Sequence, residues 1–252
     1  MTGLFDALRP IVEAGGRAVV LTVVAGEGVG AKLLVREDGS TAGGGPADLA
    51  ELAPAALRRG RGHTIQQDAR TVFADVYGPP PRLLVYGAVD TAEALCAQAK
   101  LLGWHTIVAD ARARFATRER MPSADELLVL WPDEALEQVA PDSGTAILVL
   151  THDDKFDLPL LAGALAGEAF YVGALGSRRN QERRRGVLLE QGVPEEQLDR
   201  ISGPAGLDLG AASPAETALS MLAEILAVRA GREGGRLRDS RERIHAEPAQ
   251  RI

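Results

Sequence analysis

The chain has 252 residues, 46% of them hydrophobic, which is enough for one large or two modest domains with a real core. Its net charge of −7 argues against a general nucleic-acid binder or a membrane-surface protein, since either needs a basic face. One cysteine, Cys96, excludes an internal disulfide framework and any cysteine-only metal site.

At the N-terminus Asp6, Arg9 and Glu13 interrupt what could otherwise be a leader, and Glu168 breaks the best apolar run, so a soluble cytoplasmic protein with no membrane segment is expected. Leu4–Ala14 reads as a short amphipathic helix. Arg17–Val24 and Ala31–Arg36 read as strands joined by the glycine-rich residues 26–30, and Asp38-Gly39 marks a turn. Gly43-Gly44-Gly45-Pro46 reads as a flexible connection, with a ligand loop as the sharper alternative. Ala47–Arg59 is a helix interrupted at Pro54, and Gly62–Tyr77 holds one or two more strands. Pro79-Pro80-Pro81 stiffens the chain and sets a boundary between residues 1–78 and a second domain at 82–230.

The second domain opens with strand, turn, helix, strand. Leu83–Gly87 is a doubly buried strand, Asp90 and Glu93 form a capping-box pattern, and Ala92, Leu95, Cys96, Ala99 and Leu102 share one helical face. Thr106–Asp110 is the next strand. Such a unit binds ligands at the carboxyl ends of its strands. Its turn, Gly87-Ala88-Val89-Asp90-Thr91-Ala92, keeps the first glycine of a dinucleotide fingerprint but has Val89 where backbone must approach pyrophosphate. Asp90 also puts negative charge at the helix N-terminus. Asp110, 23 residues past Gly87, stands where an acid bonds a ribose hydroxyl.

Strands at Glu126–Leu130, Thr145–Leu150 and Ala169–Ala174 alternate with helices from Asp133, over Leu158–Leu165 and over Arg178–Gln191. Ser213-Pro214-Ala215-Glu216 starts a last helix with an apolar stripe of Ala218, Leu219, Leu222, Ile225 and Leu226. Residues 231–252 are charged and aperiodic and read as a disordered tail. The fold class is therefore α/β: a Rossmann-like, mostly parallel sheet with helices on both faces, preceded by a small α+β N-terminal domain.

Three strand ends should line one crevice: Asp110-Ala111-Arg112, Thr151–Asp154 with Asp157, and Gly173–Arg179. The third carries the sharpest hint. Ser177 would cap a helix whose first turns hold Arg178, Arg179, Arg183, Arg184 and Arg185, cations at the electrostatically wrong end. An anion held by Gly176, Ser177 and the arginine forks would cancel that penalty, while an exposed arginine-rich face paired with Glu182, Glu190 and neighbouring residues is the plainer reading. His152 lacks a further ligand at metal-binding spacing, because His63, His105 and His245 lie far off, so no metal site is expected. There is no nucleophile elbow and no P-loop, and mid-helix Cys96 reads as core packing.

The runs Thr151-His152-Asp153-Asp154-Lys155-Phe156-Asp157, Tyr171–Arg179 and Gly203–Ala218 together resemble the C-terminal domain of the xanthine dehydrogenase accessory factor family, XdhC/CoxI. The likeness covers about Arg82–Arg229, with a weaker echo over Arg17–Asp48. The resemblance implies an accessory protein, not an enzyme in its own right, that binds molybdenum cofactor (molybdopterin) and helps deliver it to a molybdenum hydroxylase of the xanthine dehydrogenase type. It also implies a homodimer, with a cysteine desulfurase as a further partner. Carried over by motif, the ligand-facing residues are Gly87, Asp110, Arg112, Thr151, His152, Asp153, Asp157, Gly176, Ser177, Arg178 and Arg179. Molybdopterin carries a phosphate, and in some forms a nucleotide, in keeping with the anion reading. The family's Gly-Ala-Gly-His turn is Gly87-Ala88-Val89-Asp90 here, and its Ser-Gly-Gly-Cys-Val-Glu is Gly43-Gly44-Gly45-Pro46-Ala47-Asp48, so no thiol-dependent step is expected of this chain. The alternatives are an NAD(P)-dependent oxidoreductase on the Rossmann-like domain and a scaffold that has lost its ligand.

Overall fold

The computed structural model describes residues 3–240. They form two compact units, residues 3–79 with 235–240, and Pro80–Gly234. The division falls inside Pro79-Pro80-Pro81.

In the first unit the strands are β1 (Ala18–Ala25), β2 (Lys32–Arg36), β3 (Thr41–Gly43), β4 (His63–Gln67) and β5 (Arg70–Tyr77). They make one antiparallel sheet in the order β3-β2-β1-β5-β4. Side chains alternate across a strand, so β1 serves two cores. Val19, Leu21 and Val23 pack with Leu49, Ala53 and Ala56, whereas Ala18 and Val20 meet Leu8 of helix α1 (Leu4–Glu13). The expected helix over Ala47–Arg59 is two pieces, a 3-10 helix Ala47–Leu52 and α2 (Ala53–Arg59). Pro54 lies in the first turn of α2, where its missing N–H is no loss, so it starts a helix and does not interrupt one. The triple glycine is likewise no slack connection. The Gly45 N–H donates to the Lys32 carbonyl, and a β-carbon on Gly43 or Gly45 would press on the Lys32 backbone at 2.7–2.8 Å.

The second unit holds β6 (Arg82–Tyr86), β7 (His105–Ala109), β8 (Glu126–Leu128), β9 (Thr145–Val149), β10 (Tyr171–Ala174) and β11 (Ile201–Ser202). All pair in parallel, in the order β11-β10-β9-β6-β7-β8. Leu83, Val85, Ala146 and Leu148 face α3 (Asp90–Leu101) and α8 (Pro214–Ala230). Leu84, Tyr86, Ile147 and Val149 face α4 (Pro132–Val139), α5 (Asp154–Ala166), α6 (Arg178–Glu190) and α7 (Glu195–Leu198). Both faces are covered, as a parallel sheet requires.

Several local expectations are corrected. Val89, not Asp90, is the N-cap of α3, and Glu93 does not close a capping box but accepts from the Ser123 N–H at 3.1 Å. Leu102 lies past the helix end, and Leu219 and Leu226 are exposed, with Met221 buried in the α8 face instead. Helix α5 begins four residues earlier than expected, with Asp153 capping it. The Ser213 start is as expected: its hydroxyl accepts from Glu216 N–H, and the Glu216 carboxylate from Ser213 N–H. Cys96 is buried, and burial pushes its thiol up to about 12, so it packs and does not react. Of the expected tail, Leu237–Asp239 form one 3-10 turn, and residues 241–252 lie outside the described residues. Among the described residues no helix is long and apolar enough to cross a membrane.

Asp125 links β7 to the segment before β8. Its carboxylate accepts from the Thr106 N–H at 2.9 Å and hydroxyl at 2.8 Å, with the Lys100 ammonium at 3.0 Å. Burial pushes the carboxyl up, but these donors outweigh it and hold it at about 2. The folded value lies below the unfolded one, so the stabilisation is complete above about pH 4 and is lost as pH falls through about 2. Asp125→Asn should cost on the order of 1–2 kcal/mol at pH 7 after solvent screening, and the gap between the urea midpoints of the two proteins should shrink as pH falls from about 4 through about 2. A constant gap across that range would contradict this.

Candidate functional site

From β6 the chain steps outward to β7 and β8, then returns to place β9 on the other side of β6. In open parallel sheets the crevice opens at such a reversal, beyond the carboxyl ends of the strands. The turns after β6, β7, β9 and β10 all lie at that end, and together with the first turns of α5 and α6 they carry every one of the candidate residues.

Gly87 closes the first turn at φ +113°, donating to the Ala109 carbonyl at 2.8 Å. A β-carbon there would stand 3.0 Å from the Thr151 methyl and 3.2 Å from the Leu150 carbonyl carbon. The glycine therefore lets the β6 and β9 turns touch. Asp110 is fully buried. Its oxygens accept from Ala88 N–H at 3.0 Å, Arg112 N–H at 2.9 Å, and Arg112 Nε and Nη2 at 2.9 and 2.8 Å. Burial raises this carboxyl, and the Arg112 guanidinium and the two N–H donors more than reverse that, holding it below the usual carboxylate range. Both oxygens are taken by the chain itself, so Asp110 faces inward and fixes Arg112 where a ribose acid was expected. Arg112 then lies with its guanidinium carbon 4.3 Å from the Phe115 ring centre and 5.6 Å from that of Phe156.

The β9 turn puts His152 in the left-handed region at φ +67°, exposed at the rim. Histidine tolerates this region better than most side chains, and Asp68 and Ala140 adopt it elsewhere. Asp153 caps α5 by accepting from Lys155 N–H at 3.2 Å. The Thr151 hydroxyl donates to Asp157, and Asp157 also receives Arg184 Nη2. Arg184 Nη1 donates to the Leu175 carbonyl at 2.8 Å. Burial pushes the Asp157 carboxyl up, against the pull of the Thr151 hydroxyl and the Arg184 guanidinium. This buried pair ties the β9 turn to the β10 turn.

Gly176 follows at φ +138°, a backbone conformation that favours glycine, with Arg184 Nη1 and Gln181 Nε2 at ordinary contact distance, 3.4 Å, from where a β-carbon would stand. Ser177 caps α6, accepting from Asn180 N–H at 3.3 Å. The five arginines divide. Arg184 binds Asp157, Arg183 binds Asp154, and Arg185 binds Glu195 and Asp199. Those three answer carboxylates of this chain, as the plainer reading expected, though the partners are neighbours other than Glu182 and Glu190. Arg178 and Arg179 are exposed in the first turn of α6 and make no ion pair among the described residues. No cluster of three or more histidine, cysteine or carboxylate side chains is placed to hold a metal among the described residues.

Sequence reasoning missed the Asp157–Arg184 pair and the aromatic group at the β8 end. There Trp131 packs on Phe156 with ring centres 5.3 Å apart, and the Tyr86 hydroxyl donates to the Leu130 carbonyl at 3.0 Å. Neither has a signal at short sequence spacing. Removing one partner of a buried pair strands the other charge, so Asp157→Ala and Arg184→Ala should each cost about 3–5 kcal/mol in urea unfolding. The double variant should cost far less than their sum; additive losses would show that the two groups are not coupled.

A model of the XdhC Rossmann domain matches residues 83–225. The chain is 33% identical over 229 residues to the uncharacterized protein YqeB of Escherichia coli K12, covering 81% of this chain and 41% of that one. It is 31% identical to a probable xanthine dehydrogenase subunit of Bacillus subtilis 168, over 63% of this chain and 46% of the relative. It is 32% identical to the molybdenum cofactor insertion chaperone PaoD of Escherichia coli K12, over 62% of this chain and 43% of the relative. The chain thus spans under half the length of these curated relatives. A solved structure described as a xanthine dehydrogenase from Bacillus halodurans shares the fold, with a TM-score of 0.62 at 23% identity over 90% of this chain and 68% of that one. Together with the six-stranded parallel sheet, the match across residues 83–225 places the chain in the XdhC family.

Proposed function

We propose that this chain is an accessory protein of molybdenum-hydroxylase maturation, which binds molybdopterin-type cofactor through its phosphate and passes it to the hydroxylase. The observation that carries the reading is the contrast between two helix N-termini at the same end of the sheet. Helix α3, the usual pyrophosphate seat of the fold, opens with Asp90 and Glu93. Helix α6 opens with a serine cap, Gly176 before it, and two arginines, Arg178 and Arg179, that no carboxylate among the described residues pairs. The positive helix end repels those cations, and an anion bound among them removes the penalty while gaining charge-assisted hydrogen bonds. The phosphate seat has moved from α3 to α6, which also weighs against a dinucleotide lying in the ordinary way across this sheet.

In this reading Ser177, Arg178 and Arg179 hold the phosphate and Gly176 lets the backbone approach it. His152 and Asp153 stand on the neighbouring rim, Arg112 is fixed by Asp110, and Gly87, Thr151 and Asp157 set the shape of the turns. The protein carries its cargo without turning it over. The relative named as an insertion chaperone supports the role, and the relative named as a dehydrogenase subunit supports the class of partner. Self-pairing into a homodimer and contact with a cysteine desulfurase belong to the same proposal.

The test is transfer of molybdenum cofactor from the purified chain to an apo-hydroxylase, with cofactor affinity measured alongside. A charge-assisted hydrogen bond from arginine to phosphate is worth about 1.5–3 kcal/mol, so Arg178→Ala with Arg179→Ala should weaken binding by roughly a hundredfold or more and slow delivery to match. Unchanged affinity in the double variant would overturn the assignment of the phosphate seat.

A further inference from the structure

Trp131 is half-exposed at the carboxyl end of the sheet, at 51%, whereas the other tryptophan, Trp104, is buried at 4%. A large aromatic left at a rim costs burial energy unless something covers it. Its position is built, not incidental. Its backbone N–H donates to Glu134 at 2.9 Å, Pro132 behind it is buried, and the Leu130 carbonyl beside it takes the buried Tyr86 hydroxyl at 3.0 Å. Its ring rests on Phe156 at 53°.

Phe156 is the hub beneath. It also meets Tyr86 at 6.2 Å, the Arg112 guanidinium at 5.6 Å and the Lys155 ammonium at 4.6 Å. One buried ring thus gathers an exposed indole and two cations. Of the carboxylates nearby, Glu134 takes the Trp131 N–H, Asp110 holds Arg112 and Asp153 pairs with Lys155 at 3.5 Å, while Asp133 is exposed in the first turn of α4. A purely apolar protein partner laid on this lip would bury Arg112 and Lys155 with it, an unfavourable exchange. A flat ring that carries acceptor atoms stacks on the indole and leaves both cations something to bond.

We propose that Trp131 is a stacking surface for a planar, nitrogen-rich heteroaromatic ring, with Arg112 and Lys155 as its flanking donors. The inference rests on the cofactor reading above and adds to it a seat for a ring, separate from the phosphate seat at α6. Two sources share this chemistry, the pterin itself and the base of a nucleotide-extended form.

The two tryptophans make the test direct. In a Trp104→Phe background the emission reports Trp131 alone, and it is titrated with 6-hydroxymethylpterin, with cytidine and guanosine monophosphates, and with inorganic phosphate. A saturable quench by the pterin or by a nucleotide, and none by phosphate, is the expected result; whichever ring quenches identifies the source. In the otherwise wild-type chain Trp131→Leu should weaken that ring ligand about tenfold or more and Trp131→Phe far less, with phosphate affinity unchanged in both. Ring ligands that bind without quenching, or that bind the leucine variant equally well, would overturn the stacking seat while leaving the α6 phosphate seat standing. If neither ring ligands nor phosphate bind the wild-type chain, both proposals fall together.

Discussion

The buried ion pair between Asp157 and Arg184 is the constraint on which the crevice depends. Arg184 is only 2% exposed, and Asp157 is fully buried, so neither can turn to water. Asp157 sits in the first turns of α5 and Arg184 in the middle of α6. With the Thr151 hydroxyl on one side and the Leu175 carbonyl on the other, the pair locks the β9 and β10 turns in one arrangement. A buried pair of this kind adds little net stability against an apolar replacement, but it is costly to break. Its value here is positional: it fixes the helix that carries Ser177, Arg178 and Arg179 relative to the rim that carries His152 and Asp153.

A second lock works on the other side of the reversal. Asp110 takes four donors from Ala88 and Arg112 and so holds the glycine turn after β6 and the guanidinium beyond β7 at once. Gly87 allows that turn to come against Thr151. The two locks meet at the β6–β9 junction, where the order of strands reverses. The rim they leave is electrostatically lopsided, with carboxylates at the head of α3 and guanidinium groups at the head of α6. In the proposed function the fold takes its anion at a different helix from the one usual for dinucleotides, through substitutions confined to two turns.

The architecture was legible because its cause is periodic. Runs such as Leu83–Val85 and Ala146–Val149 have nothing polar to expose, which forces a sheet covered on both faces, and Ser213 with Glu216 announces its helix. Errors arose where a residue answered to a distant partner. Glu93 looks like half of a capping box until Ser123, thirty positions on, claims it. The start of α5 was hidden by a polar first turn and by Pro159. At the site, the turn residues could be found by their places at strand ends, but the arginines could not be apportioned. Arg183, Arg184 and Arg185 look identical in sequence to Arg178 and Arg179, and only the third dimension assigns the first three to Asp154, Asp157, Glu195 and Asp199. The Trp131–Phe156 contact joins the N-cap of α4 to the first turn of α5 with no shared spacing and left no trace in the sequence.

The central claim is that this crevice holds a phosphate-bearing pterin as cargo. The most direct measurement is the pterin content of the chain purified from cells that make molybdenum cofactor, read as the fluorescent product released by acid and iodine oxidation. The account predicts close to one pterin per functional chain, falling to background when the chain comes from cells unable to make the cofactor. Background pterin from both sources, in protein that is folded and freshly purified, would contradict it.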